Sequence, residues 1–189
     1  IYGKQNLQRA DALLDAAGWK GSPRKNAAGT ELKIAITIPS GVPTSASEAQ
    51  LMQAMLKPLG VTLDITVVPI GDFFYKYILP GDYEITVFSW LGTIFPISSS
   101  SSIFRTDGDQ NFGKIGTAAI DALFKKANEE LDPVKRCALA NKADKLIWAV
   151  GHSMIMYQRP NVTATDKKLA NMGSFGFTSI DYTKIGFQK

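Results

Sequence analysis

The sequence contains very few residues of the two types that most often hold metals or support nucleophilic chemistry. Its 189 residues include one cysteine, Cys137, and one histidine, His152. A single cysteine cannot form an internal disulfide, and these two residues cannot supply the three or four protein ligands of an ordinary zinc site. Any Ser-His-Asp arrangement would have to use His152. The two shortages exclude a disulfide scaffold and a Cys/His zinc site, and we expect neither a metal nor a cofactor.

Long apolar runs and a dominant sign of charge are also missing. No apolar stretch approaches the roughly 18 residues of a membrane span. The formal net charge is +4, but acids stand among the bases, as at Lys125, Lys126, Glu129 and Glu130. This mixture indicates an ordinary solvated surface and argues against nucleic acid as a partner. A basic nucleic-acid-binding module stays as an unfavoured alternative, which a steep salt dependence of binding would support.

The first half of the chain alternates between strand and helix patterns. Residues 32–38 and 61–67 alternate apolar and polar side chains. Between them, Ser45 and Glu48 have the spacing of a capping box, and the helical stripe that follows ends at Gly60. A strand–helix–strand unit of this length predicts parallel pairing. This half also predicts a helix at residues 7–17, a short helix at residues 73–78 and a strand at residues 84–90. Together these elements form an α/β layer.

The second half begins with a glycine- and serine-rich stretch at residues 91–116, which includes five consecutive serines. Its composition favours a long loop. Two helical stripes follow, the first capped by Thr117 and the second by Asp132 before a proline. Residues 154–157 are predicted to form a short buried strand. Cys137 is predicted to occupy a core or boundary position on its helix.

One short motif resembles the nucleophile elbow of serine hydrolases. Residues 151–155 read Gly-His-Ser-Met-Ile, with isoleucine where the sharp turn needs glycine. The predicted order is helix then strand, the reverse of the elbow, and His152 is not expected to reach its neighbour Ser153 as a base. A serine hydrolase using Ser153 and His152 is therefore an unfavoured alternative, and the simpler interpretation is a helix-to-strand turn.

Aromatic side chains flank the long loop or stand at predicted strand ends. In open α/β sheets, ligands bind beyond the carboxyl ends of strands, and Trp90 occupies such an end. Core packing would explain each aromatic residue alone, but their grouping beside a glycine-rich loop favours a binding surface. The group consists of Trp90, Phe95, Phe104, Phe112 and Tyr157.

Six short motifs follow one another along the chain. They are residues 12–19, ALLDAAGW; residues 50–61, ending in Leu-Gly-Val; residues 81–92, from Gly-Asp-Tyr-Glu to Trp-Leu-Gly; residues 111–113 with 120–123; residues 132–136 with 143–144; and residues 156–160, MYQRP. In this order they resemble the family 5 extracellular solute-binding proteins, especially actinobacterial members. These are the peptide- and nickel-binding components of ABC importers. The resemblance runs through nearly the whole chain.

The resemblance implies an α/β fold, the C-terminal lobe of a type II periplasmic-binding-protein fold with a mixed sheet flanked by helices. Residues 1–189 would form this single lobe, and residues 91–116 its ligand-facing loop. Ligand would be held between two lobes that close on a hinge. No catalytic or metal-binding residue is implied, and the ligand-binding residues would be Trp90, Gly92, Thr93, Phe95, Asn111, Phe112 and Tyr157.

Position 97 departs from the pattern of the peptide-binding members. Those members place an aspartate just after a proline, in the loop following the Gly-Trp strand, to hold the ligand's α-amino group. Here Ile97 follows Pro96. Because a buried ammonium needs a charged partner, this departure predicts a less charged or amphiphilic ligand, or an acid placed elsewhere, such as Asp107 or Asp109.

The function implied is that of a non-enzymatic, substrate-binding component of an ABC importer, which captures an oligopeptide or peptide-like solute and delivers it to the permease. The implied partners are the ligand, the transmembrane permease subunits and the N-terminal lobe of the same protein. We expect an extracytoplasmic location, at the cell surface or in the periplasm, with a lipid anchor in a segment before Ile1. Ile1 would then be a cut within a longer chain, and one lobe alone would bind ligand weakly.

Overall fold

The computed structural model describes residues 4–188, which fall into two compact units. The first unit extends to Trp90 and the second begins at Leu91. The first combines a parallel sheet with helices, whereas the second is mainly helical and carries a short antiparallel pair of strands. The expectation of a single lobe over residues 1–189 stays a prediction.

A three-stranded parallel sheet lies at the centre of the first unit. Strand β1 (Lys33–Pro39) is in the middle, with β2 (Thr62–Val68) on one side and β3 (Ile85–Thr86) on the other. β1 and β2 pair over their full lengths, from Lys33 opposite Thr62 to Pro39 opposite Val68. The predicted parallel strand–helix–strand unit is confirmed.

The third strand is much shorter than its sequence predicts, because side chains replace part of the ladder. Only Ile85 and Thr86 pair with β1. Beside them, Glu84 Oε2 accepts a hydrogen bond from the Ala35 N–H at 2.6 Å, and Thr86 Oγ1 donates to the Thr37 carbonyl at 2.9 Å. The segment predicted as a strand over residues 84–90 therefore meets β1 through only three consecutive residues.

Helix α2 (Pro43–Leu56) connects β1 to β2 and continues as a 3₁₀ turn, Lys57–Leu59. Gly60 ends it in the left-handed conformation, at φ 71°, as the sequence predicts. The predicted capping box is wrong, because the helix begins two residues before Ser45, with a proline at its first position. Ser45 is buried inside the first turn and so cannot cap it.

The other helices of this unit lie at its beginning and after β2. They are α1 (Leu7–Ala16), capped by Asn6, and a short α3 (Ile70–Asp72) that continues into a π-helical turn, Phe73–Ile78. The sheet, α2 and the residue after β3 form a buried cluster of Ile36, Ile38, Ala49, Leu63 and Val87, and Phe73 and Ile78 are buried as well.

Arg24 connects α1 to the end of α2, although α1 itself buries no residue. The side chain of Arg24 is only 2% exposed. Its guanidinium forms ion pairs with Asp11 and Asp15 of α1 and donates to the carbonyl oxygens of Trp19 and Leu59. The Asp11 carbonyl also accepts from it, so two carboxylates and three backbone acceptors compensate for the burial of this charge.

In the second unit, the described residues form three α-helices, α4 (Pro96–Phe104), α5 (Ala118–Glu129) and α6 (Pro133–Val150), and a 3₁₀ turn, Tyr182–Lys184. Thr117 and Asp132 cap α5 and α6 through side-chain oxygens, as predicted. Two-residue strands, β4 (Leu169–Ala170) and β5 (Gly186–Phe187), pair antiparallel near the end of the chain. The core of this unit contains Ile120, Phe124, Ala143 and Ile147, with Ile97, Phe104, Leu123 and Leu146 packed against them.

Helix α4 lies where the sequence predicts a loop, so that prediction is wrong for the middle of residues 91–116. Within this helix, several serine hydroxyls donate to carbonyls three or four residues earlier, as Ser100 does to Pro96 at 2.6 Å. Ile97, Ser101 and Phe104 share one face, and this face packs inward. The spacing of Ile97, Ser101 and Phe104 is therefore a better indicator of this helix than its serine composition.

Three further predictions differ from the structure. Residues 154–157 belong to neither sheet that the described residues form, and Met154 is 69% exposed. Cys137 is also exposed, because it lies on the outward-facing first half of α6. The sheet of the first unit is parallel throughout, and the antiparallel pairing forms a separate ladder rather than part of one mixed sheet.

Among the described residues, no helix has the length and apolar character of a membrane span.

Candidate functional site

A row of aromatic side chains runs from the core of the first unit to its surface at Trp90. Phe73 is 2% exposed, whereas Trp90 is 42% exposed. Neighbouring rings meet edge to face, with centroids 5.2 Å apart for Phe73 and Phe74, 5.4 Å for Phe74 and Phe88, and 5.3 Å for Phe88 and Trp90. Trp90 follows β3 at the carboxyl edge of a parallel sheet, the edge at which such sheets bind ligands. Packing against Phe88 fixes the indole ring while leaving part of it accessible.

A shallow, open depression of about 190 Å³, lined mainly by apolar atoms and called the apolar cavity below, lies at the same edge, where β1 and β2 end. Its shape comes from the turn between β1 and α2, at Gly41, whose φ is 74°. This cavity is suited to an apolar group rather than a charged one. It is lined by Ile38, Pro39, Ser40, Gly41, Val42, Pro43, Ala46 and Val67.

In the second unit, Thr93 organises the chain that enters α4. Its Oγ1 accepts a hydrogen bond from the Phe95 N–H and donates to Ser99 Oγ, both at 3.1 Å. Phe95 is 67% exposed beside this turn. At Gly92, an added Cβ would lie 3.2 Å from the ring of Phe177, a close contact that a small shift of this exposed ring would relieve.

Ile97 packs against the core of the second unit. Its neighbours belong to the cluster of Ile120, Phe124, Ala143 and Ile147. A carboxylate at this position would lose hydration without gaining a charged partner there. The identity of residue 97 is therefore explained by packing. Of the two acids named as substitutes for an aspartate there, Asp107 pairs with Arg105 at 2.7 Å, and Asp109 is exposed.

The side chain of Asn111 holds its own loop together. Asn111 is 8% exposed, and its amide nitrogen donates to the carbonyls of Arg105 and Ile115 at 2.8 and 3.0 Å. These two bonds place its Oδ1 toward His152 Nε2, 2.9 Å away. A ligand contact through the amide hydrogens of Asn111 would have to displace one of these backbone bonds.

The hydrogen bonds of His152 determine its tautomer. Because Asn111 presents its oxygen, Nε2 of His152 must be the protonated nitrogen, and the bare Nδ1 accepts from Ser153 Oγ at 2.6 Å. Burial lowers the pKa of the imidazole from 6.5, against the opposing effect of a backbone hydrogen bond with Ile103. The expectation that His152 cannot reach its neighbour Ser153 is therefore wrong, although Nε2 is occupied by an amide and not by a carboxylate.

The structure brings together some of the predicted site residues. Thr93 and Phe95 share a turn, and Asn111 lies in the loop that also carries Phe112, which is half-buried. Tyr157 is 52% exposed on the chain that leaves α6. Trp90 belongs to the other unit.

Sequence reasoning missed three contributors. Phe88 supports Trp90, Phe177 contacts the position of Gly92, and His152 binds Asn111. The two-residue spacing of Phe88 and Trp90 along an extended segment was a usable signal for the first. The other two pairs are far apart in sequence and leave no local pattern.

A model of the bacterial extracellular solute-binding proteins, family 5 (middle region), matches residues 1–112 of this chain. The chain belongs to this family. The oligopeptide-binding protein OppA of Mycobacterium bovis is 40% identical over 185 residues, which cover 97% of this chain and 31% of OppA. The chain thus spans about a third of the length of that relative.

Solved structures show the same fold. The oligopeptide-binding protein AppA of Bacillus subtilis, solved with a nonapeptide, matches 98% of this chain and 38% of its own with a TM-score of 0.78 and 18% identity. NikZ of Campylobacter jejuni, solved with Ni(L-His), matches 79% of this chain and 31% of its own, with a TM-score of 0.70 and 21% identity. The α/β fold is that of part of a type II periplasmic binding protein.

Proposed function

We propose that this chain is the C-terminal lobe of the substrate-binding component of an ABC importer, which captures an oligopeptide or peptide-like solute and has no catalytic role. The observation that carries this proposal is the 40% identity to an oligopeptide-binding protein over 97% of the chain. The family match over residues 1–112 supports it independently.

Each unit, taken by itself, has accessible groups suited to a peptide-like ligand. The aromatic row and the apolar cavity of the first unit lie at the carboxyl edge of its sheet. The second unit offers exposed Phe95 at the start of α4 and exposed Tyr157 after α6. Apolar walls with a few polar groups are typical of small-molecule sites. The proposed ligand-binding residues are Trp90, Gly92, Thr93, Phe95, Asn111, Phe112 and Tyr157.

The proposed partners follow from the same function. They are the ligand, the transmembrane permease subunits that receive it, and an N-terminal lobe of the same protein that completes the site. The proposed location is extracytoplasmic, in keeping with the family, with a lipid anchor on the longer protein. Ligand release to a permease needs a site that opens, which two lobes joined by a hinge provide.

Peptide capture by the full-length protein tests this proposal. The purified protein is incubated with a pool of synthetic tri- to octapeptides, and retained peptides are identified by native mass spectrometry. We expect retained peptides with apolar side chains, and a retained peptide should bind Trp90→Ala at least about thirtyfold more weakly, the cost typical of a buried aromatic anchor. Tyr182→Ala, which removes a 72% exposed ring, should bind within about twofold of the unaltered protein.

If the unaltered protein retains no peptide from the pool, peptide capture is ruled out. If Trp90→Ala and Tyr182→Ala bind equally well, the protein captures peptides but Trp90 is not part of the site.

A further inference from the structure

The loop between α4 and α5, residues 105–117, is ordered without regular secondary structure. Close backbone approaches shape it: a Cβ on Gly108 would lie 2.2 Å from the Ser102 carbonyl oxygen, and one on Gly116 would lie 2.8 Å from the side chain of Thr106. At its base, Asp121 of α5 accepts hydrogen bonds from the backbone and hydroxyl of Thr106, at 2.8 and 2.5 Å. The loop is therefore attached firmly at its two ends.

His152 joins the middle of this loop to the chain that leaves α6. Its Nε2–H donates to Asn111 Oδ1 at 2.9 Å, and its ring lies 3.7 Å from where a Cβ on Gly113 would be. The ring also meets Phe104 of α4 edge to face, with centroids 5.0 Å apart. One imidazole thus contacts α4, the loop and its own segment.

The tautomer matters for this connection. Asn111 can present its oxygen only because its amide nitrogen is engaged by two backbone carbonyls. The Oδ1 atom of Asn111 is an acceptor, so the Nε2 atom of His152 must carry the hydrogen. The unprotonated Nδ1 atom then accepts from the hydroxyl of Ser153 at 2.6 Å. The groups facing the ring are the amide of Asn111, the hydroxyl of Ser153, the backbone of Ile103 and the ring of Phe104, and none of these four groups is charged.

We infer that His152 is a positioning residue for ligand binding, which acts through Asn111 to hold the loop carrying Phe112 against the segment that continues to Tyr157. The inference rests on the proposed function, since Phe112 and Tyr157 are proposed ligand contacts. Holding two contact-bearing segments in place before ligand arrives reduces the conformational entropy lost on binding. His152 itself touches no ligand in this account.

The first arm of the test measures the connection without any ligand. In the full-length protein, long-range ¹H–¹⁵N NMR of the imidazole should show the Nε2–H tautomer of His152. Amide hydrogen exchange should show that His152→Leu speeds exchange of the loop amides of Gly108, Asn111 and Lys114 by about tenfold, the equivalent of one lost hydrogen bond. His152→Gln keeps a donor at the end of its side chain and should restore exchange to within about threefold.

Ser153→Ala is the matched control, because it removes the partner of Nδ1 and leaves the bond to Asn111. Its loop amides should exchange within about twofold of the unaltered protein. An Nδ1–H tautomer, or His152→Leu exchange equal to that of Ser153→Ala, would overturn the inference.

The second arm measures binding of a peptide retained from the pool described above. His152→Leu should weaken binding by about tenfold, and His152→Gln should recover most of it. Unchanged affinity in His152→Leu, with faster loop exchange, would show that the loop is held by His152 but does not serve binding. If no peptide is retained, the proposed function fails and the ligand-binding role of His152 fails with it, whereas the tautomer and exchange data still decide whether His152 holds the loop.

Discussion

Arg24 is a charged side chain that the first unit buries almost completely. Arg24→Met would leave the carbonyls of Trp19 and Leu59 without their donor and would separate α1 from the turn after α2. We expect a loss of about 3 kcal/mol in unfolding free energy, moderated because Asp11 and Asp15 are half-exposed and can regain water.

Urea unfolding monitored by circular dichroism measures this loss. Arg9→Met, which alters an exposed arginine on the same helix, serves as the control and should change stability by less than about 0.5 kcal/mol. Equal effects of the two substitutions would mean that the buried ion pairs contribute nothing measurable.

His152 should make stability depend on pH near neutrality. Burial lowers the pKa of His152 in the folded chain from 6.5, so the unfolded chain binds more protons between the lowered pKa and 6.5. The contribution of His152 to the unfolding free energy is therefore fully present above pH 6.5. It is lost as the pH falls below 6.5 toward the lowered pKa of the folded chain. Urea midpoints of the unaltered protein and of His152→Gln, measured from pH 8 to pH 5.5, should converge as the pH falls. Parallel curves would show that the imidazole is not desolvated.

At the scale of elements, the join between α4 and its loop depends on a glycine. A Cβ at Gly108 would lie 2.2 Å from the carbonyl oxygen of Ser102, and backbone cannot move away as a flexible side chain can. Gly108→Ala should therefore cost about 2 kcal/mol or more in unfolding free energy.

Gly173→Ala is the control for this substitution, because nothing lies within 4 Å of its added Cβ. Its midpoint in thermal unfolding should stay within about 2 °C of that of the unaltered protein. If Gly108→Ala and Gly173→Ala unfold at the same temperature, the loop can shift away from α4 at little cost in free energy.

Elements with regular side-chain periods were predictable, and those set by distant contacts were not. Local sequence patterns predict the strands β1 and β2 and the helix caps at Thr117 and Asp132. The structure confirms all four elements. The serines of α4 suggest a linker by composition, yet tertiary packing of Ile97 and Phe104 makes the segment helical.

The candidate site shows the same division. Trp90 could be found because it ends a strand pattern, and Phe95 because it belongs to the aromatic group beside the glycine- and serine-rich stretch. The bond between Asn111 and His152 joins residues 41 positions apart, so no short motif contains both. Sequence patterns therefore identify which residues are exposed near a sheet edge, but not which of them hold one another in place.

At the scale of the whole molecule, the two units have separate hydrophobic cores. Ile36 is fully buried in the first core and Ile120 is 1% exposed in the second, and the two core clusters share no residue. Ile36→Val and Ile120→Val should each cost about 0.5–1.5 kcal/mol, and the double variant should show their sum to within about 0.5 kcal/mol.

A pair inside one core provides the comparison. Ile36→Val with Ile38→Val alters two members of the same cluster, so their effects should depart from additivity by more than those of the first pair. Urea unfolding of all five variants measures both couplings. Stronger coupling between Ile36 and Ile120 than between Ile36 and Ile38 would contradict the division into two cores.

The position of β1 in the middle of its sheet also affects how the protein can be assembled during synthesis. β1, α2 and β2 are consecutive, so one edge of β1 can be paired before Ile85 has been made. The other edge of β1 waits for β3, and an open strand edge is where a neighbouring nascent chain can add itself. Glu84, Ile85 and Thr86 cover the middle of that edge, and the first of them brings a carboxylate to the Ala35 N–H. That edge of β1 is therefore open to a neighbouring nascent chain from the synthesis of β1 until residues 84–86 have been added.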